Sequence, residues 1–166
     1  MTHPALLSDE ELHAACDIRF TRRSGPGGQH RNKTESAVVI TYLPAALSAE
    51  ASERRSQADN RREALFRLRL VLAVSVRSTW EPTALPKLWT ERVVNAKLKL
   101  SVTHPDFPAF IAVALDSLVH YSGDPVASAA DLNISTSQLI KLLRSHPPAL
   151  QSINALRHEQ GLHKLT

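Results

Sequence analysis

Within the eleven residues Ser24-Gly25-Pro26-Gly27-Gly28-Gln29-His30-Arg31-Asn32-Lys33-Thr34 the chain combines backbone freedom, a neutral amide side chain and a cationic flank. Gly27 and Gly28 can take positive φ and let the backbone come close to another molecule, and Pro26 stiffens the chain just ahead of them. Arg23, Arg31 and Lys33 can neutralise phosphates, Asn32 can hydrogen-bond beside them, and His30 can stack on a base. Gln29 is neutral across the physiological range and cannot act as a general base. Its amide offers two donors and one acceptor, which suits positioning rather than proton transfer. This is equipment for meeting the end of an RNA.

Rival chemistries fail on spacing. A Walker loop needs Gly-Lys-Thr, whereas Asn32 precedes Lys33 and Thr34; a dinucleotide fingerprint needs glycine where His30 stands. Histidines 104, 120, 146, 158 and 163 show no zinc-site spacing, and no Gly-x-Ser-x-Gly nucleophile elbow occurs. Neither a metal nor any other cofactor is expected.

The glycine stretch resembles the Gly-Gly-Gln (GGQ) loop of class I peptide chain release factors, and the likeness extends into its flanks. Asp17-Ile18-Arg19-Phe20, Gly25 to Lys33, and Glu35-Ser36-Ala37-Val38 are similar to the family's peptidyl-tRNA hydrolysis domain. So is Glu53-Arg54-Arg55-Ser56-Gln57 followed by Asn60, which resembles the Arg-Ser-Gln element opening the family's long helix. The resemblance implies a domain that enters the ribosomal peptidyl transferase centre and hydrolyses the peptidyl-tRNA ester. Gly27 and Gly28 would let the backbone approach the terminal adenosine. The Gln29 N–H would stabilise developing negative charge, and its side chain would orient water. Arg23, His30, Arg31, Asn32, Lys33, Arg54, Arg55, Ser56, Gln57 and Asn60 would contact RNA, with large-subunit ribosomal RNA and peptidyl-tRNA as partners.

Bulk properties agree with such a partner. Residues 17–77 hold twelve Lys and Arg against six Asp and Glu, and the remainder holds eight against ten, so the basic character lies on the glycine-bearing region. No apolar run approaches the roughly 18 residues of a membrane helix, so no membrane partner is expected. Residues 1–11 lack the cationic and apolar blocks of a secretory signal. A lone Cys16 permits no disulfide within the chain, which makes a reducing cytoplasm the default compartment.

The elements that must carry the loop are legible in part. Ile18 and Phe20 alternate with Arg19 and Thr21, which predicts a strand with one buried face leading into the glycines. A short helical turn follows near residues 32–36. Ala37 to Leu43 is rich in β-branched residues and predicts a central strand closed by Pro44. Residues 47–52 pass for a loop on propensity and are expected as a third strand only from the resemblance. Ser56 suits the N-cap of a helix to about Val76, with Ala64, Leu65, Leu68, Val71, Leu72 and Val76 on one face and Arg62 and Arg69 reaching toward RNA from its border.

Residues 78–106 read as a connector with a helix near 91–100. Beyond Phe107 the period is helical, with Phe110, Ala114, Leu115 and Leu118 on one face and Leu139, Leu142 and Leu143 on another. Ala129, Leu132-Asn133-Ile134-Ser135, Leu139 and Leu142 fit a helix-turn-helix spacing in which Asn133 takes a left-handed turn position. Lys141 and Arg144 would lie on its second helix.

The expected architecture is α+β: a GGQ domain at 12–77 with a small mixed or antiparallel sheet and a packed long helix, the connector, and an α-helical module at 107–166. Only sixteen residues precede Asp17, where a stop-codon-reading factor carries a decoding domain. The expectation is therefore codon-independent ribosome rescue, although residues 137–166 lack the strongly basic tail of such factors. The alternative is a non-catalytic ribosome- or nucleic-acid-binding factor that uses the helix-turn-helix-like module.

Overall fold

Ala37-Val38-Val39-Ile40-Thr41-Tyr42 is a run of residues whose branched or aromatic side chains fit a pleated surface better than a helix. In the computed structural model, which describes residues 2–21, 36–82 and 84–166, it forms strand β2 (Ala37–Tyr42) at the centre of a three-stranded antiparallel sheet. β1 (Cys16–Thr21) pairs on one side with Ile18 opposite Ile40, and β3 (Leu47–Ala51) pairs on the other with Glu50 opposite Val39. The central place of β2 is as expected, and so is the third strand. Pro44 lies in a 3₁₀ turn (Leu43–Ala45) that ends on Ala46 at φ 52°, reversing the chain into β3.

The chain divides into two compact units, Pro4–Leu72 and Ala73–Thr166 with the N-terminal residues 1–3. The first unit opens with helix α1 (Asp9–Ala14). There the Ser8 hydroxyl accepts from the Glu11 N–H, and the Glu11 carboxylate accepts from the Ser8 N–H, a capping box written in the sequence as Ser-x-x-Glu. Those bonds hold the Glu11 carboxyl below the usual carboxylate range. Helix α2 (Gln57–Ser75) follows β3, and its start is capped as predicted, with the Ser56 hydroxyl accepting from the Asp59 N–H at 3.3 Å. Ala64, Leu65, Leu68 and Leu72 are buried, as are Leu12, Ala37, Val38, Ile40 and Ala51, and these side chains make the core of the unit.

Two expectations need correction here. Phe20 remains 42% exposed on the edge strand, because β1 has a neighbour on one side only and too little covers its face. Arg69 does not reach outward. Its guanidinium turns in to the Ala5 carbonyl at 3.0 Å and the Asp9 carboxylate at 2.8 Å, fastening α1 to α2.

In the second unit the sequence Phe-Pro-Ala-Phe-Ile-Ala-Val-Ala-Leu is apolar all round, and a helix of that kind must be covered on every side. Ahead of it, a short helix, α3 (Lys87–Thr90), presents Trp89. The apolar stretch itself forms α4 (Phe107–His120), buried from Phe107 to Leu118, where one apolar face was expected. Around it stand α5 (Pro125–Asp131), α6 (Thr136–Arg144) and α7 (Pro147–Glu159). Asp116, the one charge in the buried stretch, accepts from the Arg77 guanidinium at 3.0 Å and from the Ser78 N–H at 3.3 Å. An uncompensated carboxylate there would cost several kcal/mol.

The stretch before α4 is partly ordered by tryptophan. Trp89 is fully buried, stacks on Phe110 at a centroid distance of 5.0 Å and donates its indole N–H to the Leu132 carbonyl at 2.9 Å. The helix expected at 91–100 is instead a hairpin of β4 (Val93–Val94) and β5 (Lys97–Leu98). Asn95 and Ala96 both take positive φ, 50° and 58°, the geometry of a two-residue primed turn.

Trp89→Ala should destabilise the second unit by about 3–5 kcal/mol, since it empties an aromatic site and leaves the Leu132 carbonyl without its donor; urea unfolding followed by fluorescence of the remaining Trp80 measures this. Acid should weaken the same unit. His3, hydrogen-bonded to the Val76 carbonyl at 2.9 Å, and His146 are each held by burial below the ordinary histidine value of 6.5. Because the unfolded chain takes up protons first, their contribution is present above about pH 6.5 and declines as pH falls through that value. His3→Gln should flatten the dependence of melting temperature on pH between about 7 and 5.

Candidate functional site

Gly27, Gly28 and Gln29, with Arg23, His30, Arg31, Asn32 and Lys33, lie outside the described residues; the frame that holds their two ends does not. β1 ends at Thr21 and β2 begins at Ala37, and these residues face each other in the register. The segment between them therefore leaves and re-enters the sheet at one end of a paired hairpin.

Beside that end lies Asn60, in the first turn of α2 and 0% exposed. Its amide NH₂ donates to the Ser36 carbonyl at 2.7 Å and to the Arg54 carbonyl at 2.9 Å, while its Oδ1 accepts from the Arg54 N–H at 2.9 Å. One side chain thus joins three pieces of backbone: the residue just before β2, the segment between β3 and α2, and the helix. An asparagine is needed, because only an amide supplies two donors and an acceptor from one planar group.

Arg54, Arg55, Ser56 and Gln57 form an exposed run that leads from β3 into the first residue of α2. Arg54 and Arg55 make no salt bridge with a described residue, which leaves both guanidinium groups available to anions. The neighbouring Arg67 is spent on structure. It donates to the Glu50 carbonyl and the Glu53 carboxylate, both at 2.9 Å, and to Glu63 at 3.0 Å, and it holds the Glu53 carboxyl below its ordinary range. Arg62, expected to reach outward, is exposed but paired with Asp59.

Of the predicted site residues that the structure describes, four are thus at the surface and Asn60 lies beneath them, fixing the backbone of Arg54. Sequence reasoning did not single out Arg67. Its signal is the spacing Glu63 to Arg67, a helical i,i+4 pair. Among the described residues no group of three or more His, Cys, Asp or Glu is placed to hold a metal ion, and no helix is long and apolar enough to cross a membrane.

Asn60→Leu keeps the branched shape but strips the donors from two part-buried carbonyls and the acceptor from one N–H. It should cost on the order of 3 kcal/mol, read as a lower urea midpoint by circular dichroism.

Comparison with known proteins falls on this same region. The RF-1 domain family matches residues 10–95, which take in the sheet, α2 and the Gly27-Gly28-Gln29 sequence. The chain is 46% identical over 68 residues to the chloroplastic peptide chain release factor PrfB1 of Arabidopsis thaliana, covering 41% of this chain and 14% of that protein. It is 53% identical over 57 residues to peptide chain release factor 1 of Xylella fastidiosa, covering 34% and 16%. With peptide chain release factor 1 of Nitrosomonas europaea it shares 57% identity over 61 residues, covering 36% and 17%. The chain therefore spans less than a fifth of the length of these relatives. With over half of its residues matched by the RF-1 domain, and with Gly-Gly-Gln inside the match, the chain belongs to the class I peptide chain release factor family.

Proposed function

We infer that this chain is a ribosome-dependent peptidyl-tRNA ester hydrolase of the release factor type, acting in translation termination or ribosome rescue without reading a codon. The observation that carries the reading is the family match over residues 10–95 with Gly27, Gly28 and Gln29 inside it. The relatives are peptide chain release factors by name. Codon independence draws on how the likeness is distributed: the family match stops at residue 95, and beyond it the chain forms helices around their own buried α4.

In this mechanism Gln29 does no proton transfer, since its amide does not titrate. Gly27 and Gly28 allow main chain to pass where a Cβ would collide with the terminal adenosine. The Gln29 backbone N–H is set where negative charge develops on the ester carbonyl oxygen, and its side-chain amide holds the attacking water. One preorganised donor of this kind is worth about 3 kcal/mol, or roughly 10²–10³ in rate. The frame supplies the preorganisation. Asn60 fixes the backbone on the return side at Ser36, and the same side chain sets Arg54 beside Arg55, ready to meet phosphate. The compartment this reading takes is the cytoplasm.

Peptide release from ribosomes carrying peptidyl-tRNA tests the reading, with the A site empty or programmed with a sense or stop codon. Wild type should release peptide from the empty A site, and Gln29→Ala, which keeps the backbone N–H but removes the amide that orients the water, should lower the rate roughly 10²-fold with ribosome binding retained. Absence of release under every programme, despite binding, would contradict the enzyme. Release only on stop codons would contradict codon independence.

A further inference from the structure

The helix-turn-helix spacing at residues 126–143 is realised in the fold. α5 ends in a Schellman turn, in which the Ile134 N–H reaches the Ala129 carbonyl at 3.0 Å, the Asn133 N–H reaches the Ala130 carbonyl at 3.2 Å, and Asn133 sits at φ 54°. Ser135 then caps α6, its hydroxyl accepting from the Gln138 N–H at 3.2 Å. A second element stands against this corner. The Ser135 N–H donates to the Ala96 carbonyl at the tip of the β4–β5 hairpin, 3.3 Å away, and Trp89, just ahead of β4, is bonded to Leu132. The hairpin is thus fastened beside the first turn of α6 from two points.

Both elements expose cations. Lys97 and Lys99 are exposed on and just after β5, while Ser137, Lys141 and Arg144 are exposed at i, i+4 and i+7 along one face of α6. None of the four cations forms a salt bridge with a described residue. The carboxylates of this unit are largely committed elsewhere. Glu91 pairs with Lys87, Asp106 with Arg92, and Asp116 with Arg77, while Asp131 accepts from the Trp80 indole at 2.6 Å and Asp124 caps α5. Ala73–Thr166 holds nine Lys and Arg against seven Asp and Glu, and that small sum conceals Lys97, Lys99, Lys141 and Arg144, which pair with no described carboxylate and stand on two elements fastened to each other.

We propose that this hairpin-and-helix face is a second RNA-binding surface, which grips the phosphate backbone of folded RNA through Lys97, Lys99, Lys141 and Arg144. The cations are few and the other exposed residue of α6 is Ser137, with a short hydroxyl, so binding is to backbone rather than to bases. RNA rather than DNA is the occupant because the inference rests on the ribosomal reading of the chain. It deepens that reading by giving the second unit a role, which is to hold the chain on ribosomal RNA while the Gly-Gly-Gln segment acts.

The test uses the full chain, vacant ribosomes, a fluorescent RNA hairpin and a DNA duplex of matching sequence. The variant K97Q/K99Q/K141Q/R144Q should bind ribosomes and the RNA hairpin more weakly than wild type. The slope of log affinity against log salt should become shallower by roughly 0.7–0.9 for each phosphate that is no longer neutralised. All four positions are exposed, so an unchanged melting temperature will mark the fold as intact, and the single variants K141Q and R144Q serve if it is not. At saturating concentration the quadruple variant should release peptide at the wild-type rate, with only the half-saturating concentration raised. Unchanged affinity and salt slope would overturn the proposal, as would tighter binding of wild type to the DNA duplex than to the RNA hairpin. Failure of the catalytic reading looks different: neither wild type nor variant releases peptide, while the loss of RNA affinity persists.

Discussion

A single buried amide holds the Gly-Gly-Gln-bearing unit of this chain in register. Asn60 is the point at which the strand that receives the Gly-Gly-Gln segment, the exposed arginine run and the start of the long helix are tied to one another. A two-stranded hairpin alone is marginal in water, and a sheet of three short strands needs a packed helix to stabilise it. α2 does this by burying Ala64, Leu65, Leu68 and Leu72. Apolar packing is indifferent to small slips of a helix along a sheet. Three hydrogen bonds from one side chain are not, and they turn a packed helix into a positioned one.

The same economy explains the division of labour among the arginines. Arg67 and Arg69 are drawn to carbonyls and carboxylates of their own unit, whereas Arg54 and Arg55 pair with no described carboxylate and stand on an exposed turn whose backbone Asn60 clamps. A cation held on fixed backbone meets a phosphate at less entropic cost than one on a frayed helix end. Positive charge in this protein is sorted by structural duty, which net charge alone does not reveal.

The sequence showed most where local chemistry decides. β-branched residues marked β2, Ser56 marked the start of α2, and Asn133 marked the left-handed turn; each of these rests on a residue's own backbone preference. It showed less where tertiary contact decides. Val93-Val94-Asn95-Ala96-Lys97-Leu98 carries a hairpin turn without glycine, so the positive φ of Ala96 has no signal in its residue type. The inward turn of Arg69 depends on Ala5 and Asp9, sixty or more positions away in the chain. Asn60 was singled out, but its burial beneath the surface it was expected to form was not legible, because a polar residue gives no hint that its partners are all main chain. The site residues between Arg23 and Lys33 were read from motif and flanks, and the described structure supplies the frame on either side of them.

The central claim is that this frame delivers Gln29 to the ester of peptidyl-tRNA. The most direct measurement is a cryo-electron microscopy reconstruction of the chain on a ribosome with peptidyl-tRNA in the P site and no codon in the A site, using a hydrolysis-resistant peptidyl linkage. The expected result is the Gln29 backbone N–H within hydrogen-bond reach of the carbonyl oxygen at the terminal adenosine, with Arg54 and Arg55 against ribosomal RNA. A chain bound with Gln29 remote from that ester would contradict it.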